Sequence, residues 1–444
     1  MDKKAIAWSL ALVMTAACSA GKNASPSGPN PAEGDAWKTL AVKPGVEVLL
    51  EKRLDLLKDK RVGLITNPSG VDSRLVGTAE RLRTAAGVRL VALYGPEHGI
   101  RGDAQAGVYV PFYQDSKLGL PVFSLYGPSM KMPPGMLKDI DAFMRSFDTT
   151  HADKKLYPSM TQDIDVLVFD IQDVGTRVYT YQATMFYALQ AAASSGVEFV
   201  VLDRPNPLGG TVMEGPVLEY PDFSSFVGLY PYPLRFGMTL GELARLANEK
   251  FLPKPARLTV VPMENWRRKM AFDETGLPWV APSPNMPTLE TATVYPGQVF
   301  IEGTNLSEGR GTTRPFEYFG APWVDAYELT RTLNALGLPG VVFREQWFTP
   351  TFSKFAGERC GGCQVHVVDR KSYRPLETSL QVIAAVRAMY PGTFSFHPEY
   401  FDKIMGTAKV RLALEKGVPV AEVVRGFEPG LQEFETLRKA YLLY

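Results

Sequence analysis

The sequence predicts an α/β protein, a largely parallel β-sheet covered by helices on both faces, followed by a smaller α+β region. Three observations carry that prediction. Nearly unbroken apolar runs recur from Arg61 onward, clearest in Asp165-Val-Leu-Val-Phe-Asp170 and Glu198-Phe-Val-Val-Leu-Asp203. Strands buried on both faces lose the in–out alternation of a half-buried strand and read in this way. Between those two runs, Ala183 to Ala193 places apolar residues at helical spacing, so strand and helix alternate as in a parallel sheet. After the Pro-rich, irregular stretch Trp279 to Pro287 the pattern becomes mixed, which marks a junction.

The elements follow in order. Arg61 to Thr66 is a buried strand closed by the turn Asn67-Pro-Ser-Gly70, and Val88 to Tyr94 is a second, ending in Gly95-Pro-Glu-His-Gly99. Pro121 to Leu125 is a shorter strand. Thr239 to Lys250 opens with Thr239 three residues ahead of Glu242, a capping-box pattern for a helix. Leu258 to Pro262 is another strand, and the tail holds strands near Val341 and His366. The expected α/β domain is 41–288 and the α+β domain 289–444.

The N-terminus carries an address. Lys3 and Lys4 precede an apolar run from Ala5 to Ala17, too short for a bilayer span of roughly 20 residues and typical of an export signal. Thr15-Ala-Ala-Cys18 resembles a bacterial lipobox, so residues 1–18 are expected to be a signal peptide with Cys18 lipidated. Residues 19–40, rich in Ser, Gly, Pro, Asn and Ala, are expected to be a flexible linker. The implied location is the cell envelope, most simply the outer membrane facing the periplasm.

A net charge of +1 over 444 residues gives no electrostatic reason to bind nucleic acid. Besides Cys18, the cysteines are Cys360 and Cys363, in Cys-Gly-Gly-Cys ahead of an apparent strand from Gln364 to Val368. A CxxC can be redox-active, half of a zinc site, or two cysteines near a turn. Zinc lacks ligands, since only His366 is near; a small disulfide or a free pair fits best, and no metal or cofactor is expected.

Polar clusters fall after the strands, where open α/β sheets bind ligands. Glu97 and His98 follow one strand, Asp170 and Asp173 another, Arg204 and Asn206 a third. There is no GxSxG elbow, HExxH or Walker loop, and no GxGxxG opens the first unit. What remains is carboxylates, arginines and aromatics on loops. A carboxylic acid in a partly desolvated pocket can protonate a leaving group, as in glycoside hydrolysis, usually with a second carboxylate across the bond. Glu97 is the expected acid; Asp170, Glu308, Asp173 and Glu302 are candidates for the second group. Arg101, Arg177, Arg204, Arg310 and Arg314, with Asn67, His98, Asp173, Asn206, Asn285 and Asn305, are candidate binding residues. The glycines of Glu308-Gly-Arg-Gly-Thr-Thr-Arg314 allow close approach, and a guanidinium can grip a carboxylate or phosphate bidentately. Tyr179, Tyr181, Tyr230 and Tyr232 are candidates for stacking on a sugar.

Tyr94-Gly-Pro-Glu-His-Gly-Ile-Arg-Gly102, Asp170-Ile-Gln-Asp-Val-Gly-Thr-Arg177, Asp203-Arg-Pro-Asn-Pro-Leu-Gly-Gly210, Ser283-Pro-Asn-Met-Pro-Thr288 and Glu302 to Arg314, with Leu64 to Gly70, together resemble the NamZ-type exo-β-N-acetylmuramidases. The resemblance runs from about Val48 to the C-terminus. It implies a Rossmann-like N-terminal domain and a smaller C-terminal domain with the site between them. It also implies release of N-acetylmuramic acid from non-reducing ends of peptidoglycan fragments, with Glu97 at the position of the catalytic glutamate. The lactyl carboxylate of that sugar would give the loop arginines a purpose. The competing expectations are a lipoprotein that binds wall fragments without cleaving them, and a peptidoglycan esterase or amidase.

Overall fold

The computed structural model describes residues 41–126 and 163–444; the signal, Cys18 and the linker lie outside the described residues. The chain from Gly45–Lys52 (α1) enters a seven-stranded sheet. Its strands are β1 (Arg61–Thr66), β2 (Arg89–Gly95), β3 (Tyr113–Asp115), β4 (Leu120–Ser124), β5 (Val166–Asp170), β6 (Glu198–Leu202) and, after the hairpin β7 (Glu214–Val217) and β8 (Pro233–Arg235), β9 (Arg257–Val261). The order is β3-β4-β2-β1-β5-β6-β9, parallel throughout except for the β3–β4 edge pair. Helices α2 (Thr78–Thr84), α3 (Tyr181–Ser195) and α4 (Leu240–Lys250) connect the strands.

The continuous apolar runs are explained by the two faces. Val166, Val168, Val200 and Leu202 enter one apolar cluster, while Leu167, Phe169, Phe199 and Val201 enter the other. Strand neighbours thus alternate between two covered faces, as the period of two requires. The capping box of α4 is present, with Thr239 accepting from the Glu242 amide and Glu242 from the Thr239 amide. The chain moves outward from β1 to β2, then restarts on the other side at β5, so β1 and β5 flank the topological switch point.

Beyond the junction come α5 (Leu289–Gln298), a 3-10 turn over Val299–Gly303, and a three-stranded antiparallel sheet in the order β10 (Tyr318–Ala321), β12 (Cys360–Val367), β11 (Val341–Phe348). Helices α6 (Ala326–Ala335), α7 (Pro375–Met389), α8 (Pro398–Met405), α9 (Lys409–Glu415), α10 (Val420–Arg425) and α11 (Glu428–Arg438) complete it. The larger apolar cluster is continuous from Phe169 and Phe199 of the parallel sheet to Phe319 and Ile404 of this region, and the described residues pack as one unit. No helix among the described residues is long and apolar enough to cross a membrane.

The Cys-Gly-Gly-Cys segment lies inside β12 rather than ahead of a strand. Its glycines let strands approach closely: a Cβ on Gly362 would sit 1.9 Å from the Phe319 carbonyl oxygen. Cys360 and Cys363 are free and buried; three positions apart in a strand, they point to opposite faces. Burial pushes their thiols up to about 11 and about 12.

Candidate active site

Glu97 is presented by a tight turn at the end of β2. The Gly99 amide donates to Pro96 O and the Gly102 amide to Gly99 O, and His98 takes φ 73°, a left-handed conformation rare outside glycine. That turn aims Glu97 into a cavity of about 120 Å³. One carboxylate oxygen accepts from Thr180 Oγ1 at 2.8 Å and the other from the Gly107 amide at 3.1 Å. Tyr126 stands beside the same carboxylate; burial first, then the Glu97 charge, push its phenol up to about 12. His98 Nδ1 lies 2.7 Å from Ala104 O, and burial lowers the ring's proton affinity. A neutral ring donating from Nδ1 leaves Nε2 as an acceptor.

The facing wall is built by the C-terminal region. Glu302, at the end of the 3-10 turn, accepts from Arg310 Nε at 2.9 Å and Nη2 at 2.6 Å, and from the Tyr400 phenol of α8 at 2.8 Å. The Arg310 guanidinium lies 4.9 Å from the centre of the Phe316 ring. Behind it, Glu308 approaches Arg310 and Lys354 at 3.4 Å each, and burial raises the Glu308 carboxyl above its ordinary value. Lys354 Nζ donates to the carbonyls of Ile301, Glu302, Thr304 and Leu306, tying down the turn that carries Glu302. Tyr179, Ser283, Asn285 and Tyr295 add polar groups to a lining that also includes Val178, Val227 and Met286. Among the described residues no group of three or more His, Cys, Asp or Glu is arranged to hold a metal.

The N-terminal part of the exo-β-N-acetylmuramidase NamZ family matches residues 62–148 and 147–290, and its C-terminal part matches 293–444. This chain belongs to that family. It is similar to the peptidoglycan β-N-acetylmuramidase NamZ of Bacillus subtilis strain 168, at 48% identity over all of both chains. It is also similar to crystal structures of two DUF1343 family proteins from Bacteroides fragilis NCTC 9343. One shows 40% identity with a TM-score of 0.80 and the other 29% with 0.68; each comparison covers 91% of this chain and 99% of the other.

Set on the NamZ fold, the residues expected from sequence divide. Glu97, His98, Asn285 and Arg310 line the cavity, and Glu308 sits behind Arg310. Asp170 does not reach it. This carboxylate is fully buried at the switch point, gripped by Arg204 at 2.5 and 2.9 Å and by the Thr78 hydroxyl, with no surface facing the cavity. Arg204 is held there with it. Asp173 accepts from the Gly175 amide and Gln182, Asn67 clamps Pro282 O and the Ser69 amide, and Asn206 bridges Met238 O and the Leu208 amide. These residues shape the loops. Arg177 is 1% exposed and donates to the carbonyls of Pro216, Tyr232, Ile404 and Met405; burial lowers it to about 10. Arg101 pairs with Asp115, Asn305 holds Thr393 O and the Ser395 amide, and Arg314 pairs with Glu317 beside a separate groove. Arg310 is therefore the one arginine among the five candidates that lines the cavity, and two carboxylates already hold it. Tyr230 and Tyr232 are core residues, Tyr181 donates to Pro282 O, and Tyr179 alone of the four tyrosines lines the cavity. Thr180, Tyr126, Lys354 and Tyr400 were not visible from sequence. Tyr400 sits in an amphipathic helix outside every segment singled out from sequence, where only its place in the fold gives it a role.

Proposed function

We propose that this chain releases N-acetylmuramic acid from the non-reducing end of peptidoglycan-derived glycans, with Glu97 as the general acid. The observation that carries the reading is Glu97 held at both oxygens in a cavity that a second carboxylate, Glu302 of the C-terminal region, also lines. Glycoside cleavage uses a pair of carboxyl groups in one site. Family membership supports a glycosidase over a binding protein, and the 48% identical relative bears the name of a peptidoglycan β-N-acetylmuramidase. The test is incubation with N-acetylmuramyl-N-acetylglucosamine: wild type releases free N-acetylmuramic acid and Glu97→Gln does not. Saturable binding by wild type with no product would favour capture of wall fragments instead.

We further infer export and a lipid anchor at Cys18, supported by the basic start, the short apolar run and the small residues before the cysteine. A peptidoglycan-directed glycosidase needs to be held where its substrate is. Mass spectrometry of the membrane fraction should find a diacylglyceryl-modified Cys18, and Cys18→Ala should release the protein to the soluble fraction. Soluble wild-type protein carrying unmodified Cys18 would remove the anchor from the proposal.

A further inference from the structure

We propose that Glu302 is the second carboxylate of the reaction, the group that faces the positive charge developing at the anomeric carbon, and that Tyr400 and Arg310 are its positioning residues. The inference rests on the reading of Glu97 as the acid. Four carboxylates were candidates from sequence, and position separates them. Asp170 is closed off at the switch point, Asp173 is bound into its own loop, and Glu308 is 2% exposed behind Arg310. Glu97 and Glu302 are the carboxylates among the described residues that line this cavity, and they come from opposite regions of the molecule.

The hydrogen bonds suit different roles for the two. Every contact to Glu302 is a donor aimed at its oxygens: two guanidinium N–H groups on one, the Tyr400 phenol on the other. A proton on Glu302 would be set against one of those donors, so the pattern fits the carboxylate form. The Tyr400 phenol is itself pushed well above its ordinary value, by burial first and then by the Glu302 charge, so it remains a donor. Stacking on Phe316 fixes the guanidinium, and Lys354 fixes the turn. Such a preorganised negative group gains most where positive charge appears during reaction. Glu97 accepts instead from neutral donors, the Thr180 hydroxyl, the Gly107 amide and the Tyr126 phenol, with no guanidinium among them.

The step balances without a further reagent. The C1–O electron pair leaves with the aglycone oxygen, which takes the proton of Glu97, while Glu302 supports the charge at C1. Water then supplies the hydroxyl at C1 and releases its other proton to solvent, from which Glu97 is protonated again.

The experiment compares two substrates, the muramyl disaccharide and N-acetylmuramyl β-fluoride, whose fluoride departs without protonation. Glu302→Gln should lower kcat by roughly 10²–10³-fold on both. Glu97→Gln should lose the disaccharide and keep the fluoride. Tyr400→Phe, a change at the cavity rim that leaves the carboxylate in place, should cut kcat about tenfold on both substrates with KM unchanged. Wild-type kcat on the fluoride in Glu302→Gln, or an effect of Tyr400→Phe on KM alone, overturns the assignment of Glu302. Equal loss of both substrates in Glu97→Gln instead unseats the acid reading and leaves the Glu302 result standing by itself.

Discussion

At the switch point between β1 and β5, Asp170 has no exposed surface and accepts from Arg204 twice and from Thr78, while Arg204 also donates to Val71 O. At the end of β2, Glu97 looks into a cavity that a second carboxylate, Glu302, also lines. Both clusters stand at the carboxyl ends of strands in one sheet, and both combine acids with hydrogen-bond donors. The difference is closure. Asp170 and Glu302 accept matching sets of donors, two guanidinium N–H groups and a hydroxyl, but Asp170 has no exposed surface and lines no part of the cavity, whereas Glu302 does. Charge at a strand end is therefore a pointer to function only when something is left facing open space.

That contrast can be broken in a definite order. The largest effect is expected from Glu97→Gln, with a loss of roughly 10²–10⁴-fold in kcat and no change in thermal midpoint. Arg204→Met should do the reverse, costing about 3–5 kcal/mol of stability by leaving Asp170 buried without its partner. Urea denaturation measures that cost, and kcat per folded molecule should stay near wild type. Loss of activity in a stably folded Arg204→Met would bring the switch point back into the site. A smaller effect concerns Asp173, whose carboxyl burial pushes up to about 7 from 3.8. The folded state then keeps a proton that the unfolded chain has lost, so this group's contribution to stability is full below about pH 4 and fades as pH rises through 7. Asp173→Asn should flatten the fall in unfolding free energy across that window; an unchanged slope would show that Asp173 does not carry it.

Much of the architecture was legible because burial on both faces leaves a plain signature. Val166 to Asp170 and Glu198 to Leu202 read as continuous apolar runs since alternate residues enter different cores. The α5 helix was not legible: Pro296 and Gly297 lie within it, and local chemistry there speaks for a turn. The glycines of Cys-Gly-Gly-Cys likewise signalled a turn, where the fold uses them for close contact between strands. Of the site, the Glu97 turn could be found from its glycines and polar residues. Thr180 and Tyr400 could not, because the first is 83 residues from Glu97 and the second 98 from Glu302. Nor could the arginines be sorted, since a guanidinium filling a set of backbone carbonyls and one facing a ligand look alike in sequence.

Arg177 has a consequence for how such proteins can be recombined. It lies a few residues before Thr180, the hydroxyl that holds Glu97, and its guanidinium caps the last carbonyls of α8, the helix that presents Tyr400 to Glu302. Gly406, at φ 81°, permits that approach, since a Cβ there would lie 2.6 Å from Arg177 Nη2. The spacing between the two carboxylates is thus surveyed from a single buried peg shared by both halves of the molecule. A chimaera joining the front of one relative to the back of another would keep this register only where an arginine peg in the first half meets a glycine socket in the second.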